Sequence, residues 1–493
     1  MKKFKKLQVV FSIIVFLMLV SALSYPGYAL EANMVSNVDG KIRVVLLHYG
    51  EMGFGGLWFD MTIFFRHLMD KMDKDVGFVV IVGNDGKVDV VKEALKPYEA
   101  QKLPDGTARV KYLPVEVKTS QFYPYARDAY LIQTDKDNNL IFLDSGYNFA
   151  PFPILNFDDV FAGAKIRAGM FNRGGGNIRT TDKEIIIGMD TFLGVDATRR
   201  HGFLKDTFYT MAKNKKKEDT ALLKKRLIAH AEVINHALAP AKKMVIPGLD
   251  YFFEEFAKGE FKFTRKIVHS TGSQAAYHTD VYLGLGHVDK KGRRVLFIAD
   301  SAAGAKVVKK MPDAERREVE RGLYKGLAAE GVTAVGIPVT EEQVAKRLRW
   351  EHYKLLDLSL EKTKKTTEVL DRTAKHLETL GYRVVRIPYL PNGLHDSKER
   401  HDIMFGMGFN YSNVLTEVYD NVKKVYIPRY GFKQLDEAAA RAYREAGFRV
   451  VILDGPLSTA ITPRNDGAGL DCLTSEIRVP VRWAKKYYAP EKK

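Results

Sequence analysis

Short apolar runs rich in β-branched residues recur along the chain, with amphipathic stretches of helical period between them. Ile42-Arg-Val-Val-Leu-Leu47 and Val76-Gly-Phe-Val-Val-Ile-Val82 flank a helix-like segment, Gly56–Lys74. Leu140-Ile-Phe-Leu-Asp144, Glu184-Ile-Ile-Ile-Gly188 and Arg294-Val-Leu-Phe-Ile-Ala299 follow as further strands. Tyr382–Ile387, Lys424–Pro428 and Arg449–Leu453 complete the series, and an Ala- and Glu-rich helix over Leu435–Ala446 joins the last two. Strands alternating with helices predict an α/β fold. Val281–Val288 reads as a strand, Asp289-Lys-Lys-Gly292 as a hairpin turn and Arg293–Ala299 as the return strand. Two charged stretches, about 190–260 and 311–380, are periodic and poor in turn signals, and read as helical insertions. Neither has a Gly/Ser or Pro-rich border, so residues 30–493 are expected to form one elaborated domain.

The N-terminal pattern is different. Met1-Lys-Lys-Phe-Lys-Lys6 is a basic start, Leu7 to Ser24 is apolar, and Gly27-Tyr28-Ala29 supplies small residues for a signal peptidase. Residues 1–29 are therefore expected to be a signal peptide cleaved after Ala29, and the protein to be exported to the periplasm or medium. An uncleaved anchor is the competing reading, which the small-x-small site disfavours.

The chain has 493 residues, of which 46% are hydrophobic and 28% charged, which excludes a disordered or collagen-like protein. Its net charge of +17 falls to +13 once Lys2, Lys3, Lys5 and Lys6 are removed. The excess sits in runs such as Lys213-Asn-Lys-Lys-Lys217, which without a groove-reading motif predict solvated faces and no nucleic-acid partner. Attraction to an anionic envelope surface is compatible with that charge. A single cysteine, Cys472, excludes an intramolecular disulfide, a zinc finger and a cysteine-bound cluster.

A lone thiol is most often a buried small hydrophobe. Here it sits in Asp466-Gly-Ala-Gly-Leu-Asp-Cys-Leu-Thr-Ser475, where glycines would let a substrate approach the backbone, and this favours a nucleophile. A nucleophilic thiolate usually has a histidine beside it. Two His-x-Asp triplets are present, His278-Thr-Asp280 and His287-Val-Asp289. In a strand, residues two apart share a face. The second triplet falls at the hairpin turn and is expected to be exposed, so the first is preferred. His230 and His236 lack HExxH spacing, and neither a metal site nor a cofactor is expected.

Tyr125-Ala-Arg-Asp128, Gly175-Gly-Asn177, His278-Thr-Asp280, Tyr411-Ser-Asn413 and Gly469-Leu-Asp-Cys472, in this order, resemble the guanidino-group-modifying (pentein) superfamily. In particular the chain resembles its bacterial peptidylarginine deiminase and agmatine deiminase family. The likeness runs from about residue 40 to 485 outside the two insertions, and is most specific over Phe409–Leu415, Val425–Gly431 and Gly469–Ser475. The resemblance implies a five-fold pseudosymmetric α/β propeller of ββαβ units. It also implies Cys472 as nucleophile, His278 as general acid and base, and Asp128 and Asp280 as the carboxylates that grip a guanidinium. Asn413, Arg127 and Asn177 are implied as substrate-binding positions.

Three positions depart from the family's pattern. Gly174 stands where members acting on free small molecules often carry an acid, and protein-arginine deiminases also lack that acid. Asp471 precedes the nucleophile where histidine is frequent, and a neighbouring anion raises a thiol's pKa. Tyr125 replaces a tryptophan. The leading expectation is an exported deiminase converting peptidyl arginine to citrulline and ammonia. Its alternatives are a deiminase of agmatine or another small guanidine, an amidinotransferase, and a non-catalytic binding or envelope protein of the same fold.

Overall fold

A strand buried on both faces is written as a continuous apolar run, and Gly77–Gly83 is one, with every residue buried. The computed structural model describes residues 32–485 apart from 51, 55–56, 117, 119–123, 145–155, 168–174, 190, 192–216, 251–252, 255–261, 265–266, 270–277, 330–332, 335–336, 339, 341, 344–353, 392–407 and 455–468. The expected signal peptide and Gly174 lie outside the described residues. No helix among the described residues is long and apolar enough to cross a membrane.

Five sheets share one pairing pattern, an antiparallel pair whose second strand is joined by a parallel third. In the first, Thr474–Ile477 lies antiparallel to Val44–Tyr49, with Leu47 opposite Thr474, and Gly77–Gly83 and Val110–Val115 add in parallel. The second pairs Tyr130–Thr134 with Leu140–Asp144 and then Lys165–Arg167. The third pairs Ile178–Thr180 with Glu184–Ile187 and then Lys243–Val245. The fourth pairs Leu283–Val288 with Arg294–Asp300 and then Arg383–Leu390, and the fifth pairs Leu415–Tyr419 with Val422–Arg429 and then Arg449–Asp454. Parallel neighbours need a crossover, and helices supply it. Met61–Lys71 does so in the first sheet and Lys433–Glu445 in the fifth. The latter buries Leu435, Ala439, Ala440 and Tyr443, a stripe at helical spacing.

The sequence expectation of a mixed α/β chain is met, and its strands fall within a few residues of their expected bounds. Three local readings differ. The segment from Gly56 was expected to be helical throughout, but Leu57–Phe59 pairs with Met52–Phe54 as a hairpin. The helix starts only after Asp60, whose carboxylate accepts from the Thr62 amide at 2.9 Å. Short apolar runs suit either period, and the cap decides between them. Residues 190–260 contain Lys217–Leu238, which leads to Lys243–Val245 in the third sheet, so this helix is a crossover. Leu355–Thr379 leads in the same way to Arg383–Leu390 in the fourth sheet. The third difference is His287, expected to be exposed at its turn. It is only 5% exposed and packs against Phe448, ring centroids 5.4 Å apart, while Asp289 takes the turn itself.

Candidate active site

Each of the five motifs sits at the same place in its sheet, immediately before the first strand of the antiparallel pair. Ala126–Ala129, a short helical turn, carries Arg127 and Asp128 and runs into Tyr130–Thr134. The 3₁₀ turn Gly175–Asn177 runs into Ile178–Thr180. His278 and the 3₁₀ turn Thr279–Val281 precede Leu283–Val288. Asn413 precedes Leu415–Tyr419, and the turn Leu470–Leu473, with Cys472, precedes Thr474–Ile477.

Direct bonds join these loops in a closed circuit. The Gly176 amide donates to Asp128 Oδ1 at 3.3 Å, and Thr279 Oγ1 donates to the Gly176 carbonyl at 2.9 Å. Asn413 Nδ2 donates to the Asp280 carbonyl at 3.1 Å, and Asn413 Oδ1 accepts from the Asp471 amide at 2.8 Å. Arg127 Nη2 closes the circuit by donating to Asp471 Oδ1 at 2.8 Å. Every predicted site residue therefore lies in one ring of loops.

Cys472 is bonded to two of the other residues of this ring. Its thiol donates to Asp280 Oδ2 at 3.3 Å, and Asn413 Nδ2 donates to its sulfur at 3.2 Å. His278 Nδ1 is 3.6 Å from Asp128 Oδ1. Cys472, His278, Asp280 and Asp128 are all buried. Burial pushes the Cys472 thiol well above its usual range, and Asp280, Asp128 and Asp471 push the same way. Burial also raises Asp280, to about 7, with Asp471 adding to the effect and His278 and Arg179 opposing it. Asp280 Oδ1 is buried and has no hydrogen-bond partner among the described residues. Two carboxylates, an imidazole and a thiol thus line one buried site.

The convergence of His278 and Asp280 does not come from a strand, as expected, because the strand begins only at Leu283. His278 is extended and Asp280 lies in the 3₁₀ turn, and both pack on Gly176. A Cβ on Gly176 would fall 2.7 Å from His278 Nδ1 and 2.8 Å from Asp280 Oδ2. Gly176→Ala is therefore expected to push both groups out of line, disturb the thiol's bond to Asp280 and lower kcat/KM at least roughly tenfold. Steady-state kinetics on the variant checks this. Gly469, expected to open the backbone to substrate, instead admits Asn413, whose Oδ1 would be 2.4 Å from an added Cβ.

The three residues implied to bind substrate also have bonds within the fold. Asn177 Oδ1 accepts from the Thr279 amide at 3.2 Å and so fixes the turn between His278 and Asp280. Arg127 bonds to Asp471 and also to Glu476 Oε2, at 2.6 Å. Asn413, the third of them, contacts the nucleophile. Its loop is pinned from both sides: Ser412 Oγ donates to the Val281 carbonyl at 3.2 Å and Tyr443 Oη to the Tyr411 carbonyl at 2.8 Å.

No family model matches the chain, and no curated protein matches it. Solved structures do overlap with it. Agmatine deiminase of C. jejuni is 11% identical with a TM-score of 0.44, over 92% of this chain and 97% of that one. Agmatine deiminase of Enterococcus faecalis is 11% identical with a TM-score of 0.44, over 91% and 96%. DDAH from Pseudomonas aeruginosa is 11% identical with a TM-score of 0.31, over 88% and 99%. At this level of overlap the side chains themselves must carry the functional question.

Proposed function

We propose that this protein is a deiminase that hydrolyses the guanidinium of peptidyl arginine to citrulline and ammonia through a covalent Cys472 adduct. The closed circuit of loops carries the reading, because it gathers a thiol, an imidazole and two carboxylates from three different sheets into one buried site. A guanidinium is planar, permanently cationic and a donor only, so it fits a site of surplus acceptors. Asp128 and Asp280, with the unpartnered Asp280 Oδ1, supply them.

In the free protein the thiol is held neutral by its burial first and by the neighbouring carboxylates second. A bound guanidinium reverses that field and favours the thiolate, so substrate activates its own nucleophile. The thiolate attacks the central carbon. One C–N bond then breaks, with the leaving nitrogen taking a proton from His278 and departing as ammonia. Water adds to the resulting thiouronium and gives His278 a proton. The C–S bond breaks as the adduct's remaining hydroxyl proton passes to solvent, leaving the ureido product and regenerating the thiolate. Asn413 holds the sulfur throughout by its 3.2 Å bond.

The finer arrangement follows the same reasoning. Five sheets of one pairing pattern, with their motif loops joined in a circuit, support the fivefold α/β propeller that the resemblance implies. The basic and apolar N-terminus with Gly27-Tyr28-Ala29 supports export. Outside a cell, arginine is most abundant in peptides and proteins. Gly174, with no carboxylate for a free amine, agrees with a peptide substrate. The mature chain is expected to release ureido product from an arginine peptide with a higher kcat/KM than from agmatine or free arginine, in a colorimetric assay run side by side. Agmatine hydrolysis without peptide hydrolysis would overturn the substrate, and no ureido product from any guanidine would overturn the activity.

A further inference from the structure

The acid before the nucleophile is buried at 1% exposure and does not stand alone. Asp471 Oδ1 accepts from Arg127 and Asp471 Oδ2 from Arg179. Glu476 shares Arg127 and also accepts from Thr474 Oγ1 at 3.1 Å. Two guanidinia face two carboxylates, and Arg179 is likewise 1% exposed. Charges buried this deeply are tolerated only when paired. The Asp471 amide also donates to Asn413 Oδ1, so one residue is tied to the cation pair by its side chain and to the sulfur's partner by its backbone. Arg179 lies two residues beyond Asn177, in the first strand of the third sheet, and its charge also reaches Asp280.

We propose that Arg179 and Asp471 are a positioning pair: Asp471 anchors the turn that presents Cys472, and Arg179 cancels the Asp471 charge so that the sulfur can ionise. The proposal rests on the reading of Cys472 as the nucleophile. The paired arginine also explains how the site accepts an acid beside its thiol.

Cys472 is the only cysteine, so alkylation by iodoacetamide reports on this thiol alone and needs no turnover. At a fixed pH of about 8, Arg179→Met is expected to slow alkylation, because it leaves the acid under-compensated. Asp471→Asn is expected to speed it, because it leaves a surplus cation. An adjacent charge moves a pKa by about one unit or more, and each unit changes the rate roughly three- to fourfold, since the more basic thiolate is also the better nucleophile. The double variant should return towards the wild-type rate, and Arg179→Lys, which keeps the charge, should stay near it. Loosened packing alone would expose the thiol and speed both single variants. Changes of the same sign in both, or no change in either, would overturn the proposal. If Arg179→Met does not fold, Asp471→Asn and Arg179→Lys decide: a faster first with an unchanged second supports it, and an unchanged Asp471→Asn overturns it. Absence of ureido product from the wild type would sink the deiminase reading and leave these alkylation shifts able to decide this one.

Discussion

Cys472→Ala is expected to abolish release of ureido product, a loss of at least roughly a thousandfold in kcat, as removal of an attacking side chain does in other covalent hydrolases. No neighbour can substitute. Among the described residues, the groups bonded to the sulfur are the Asp280 carboxylate and the Asn413 amide, and neither forms the thiouronium that the two-step reaction needs. The fold should survive, because the change removes one sulfur from a packed turn and costs about 1 kcal/mol. The Asp471 and Cys472 amides would still donate to Asn413 Oδ1, which keeps the turn in place. Circular dichroism and thermal melting on the variant separate lost chemistry from lost structure. A wild-type rate of product release from Cys472→Ala would end the deiminase reading.

The strands and the identity of the converging residues were legible because both are written locally. Phe78–Val82 is a short run rich in β-branched residues and bounded by glycines, as a doubly buried strand is, and Gly469-Leu-Asp-Cys472 is a motif within four residues. What the sequence hid is long-range. The third sheet's crossover reads as an insertion because the pairing of Glu184 with Lys243 spans a stretch whose own pattern is simply helical. The resemblance implies Asn177 and Arg127 as substrate-binding positions, and their motifs carry no sign of their partners within the fold. Only the fold shows that Thr279 claims the first and Asp471 and Glu476 the second. Arg179 gave no signal at all, since an arginine in a three-residue strand is usually a solvated side chain. A buried acid next to the nucleophile was the available clue, because such a charge demands a partner from somewhere in the fold.

Asp280→Asn is the second large expectation, and it tests the charge of the site. Asp280 touches the sulfur through Oδ2 and has Oδ1 unpartnered, so it is the carboxylate best placed to grip the substrate cation. An amide keeps the shape, loses the charge and turns one acceptor into a donor facing other donors. A hydrogen bond to a charged group is worth about 1.5–3 kcal/mol, so kcat/KM should fall by about ten- to a hundredfold. The pH profile gives a sharper check. Burial and Asp471 hold Asp280 up at about 7, so below that pH it carries a proton and lacks the charge that the guanidinium needs. Wild-type kcat/KM should therefore decline as pH drops through about 7, and Asp280→Asn should lose that decline along with most of its activity. Asp289→Asn is the control. Its carboxylate sits in the hairpin turn, accepting from the Lys291 and Arg293 amides at 2.9 Å each, with its pKa lowered first by the Arg293 backbone bond. That variant should be nearly silent in both rate and pH profile. Should Asp289 prove essential and Asp280 dispensable, the wrong His-x-Asp triplet has been placed at the thiol.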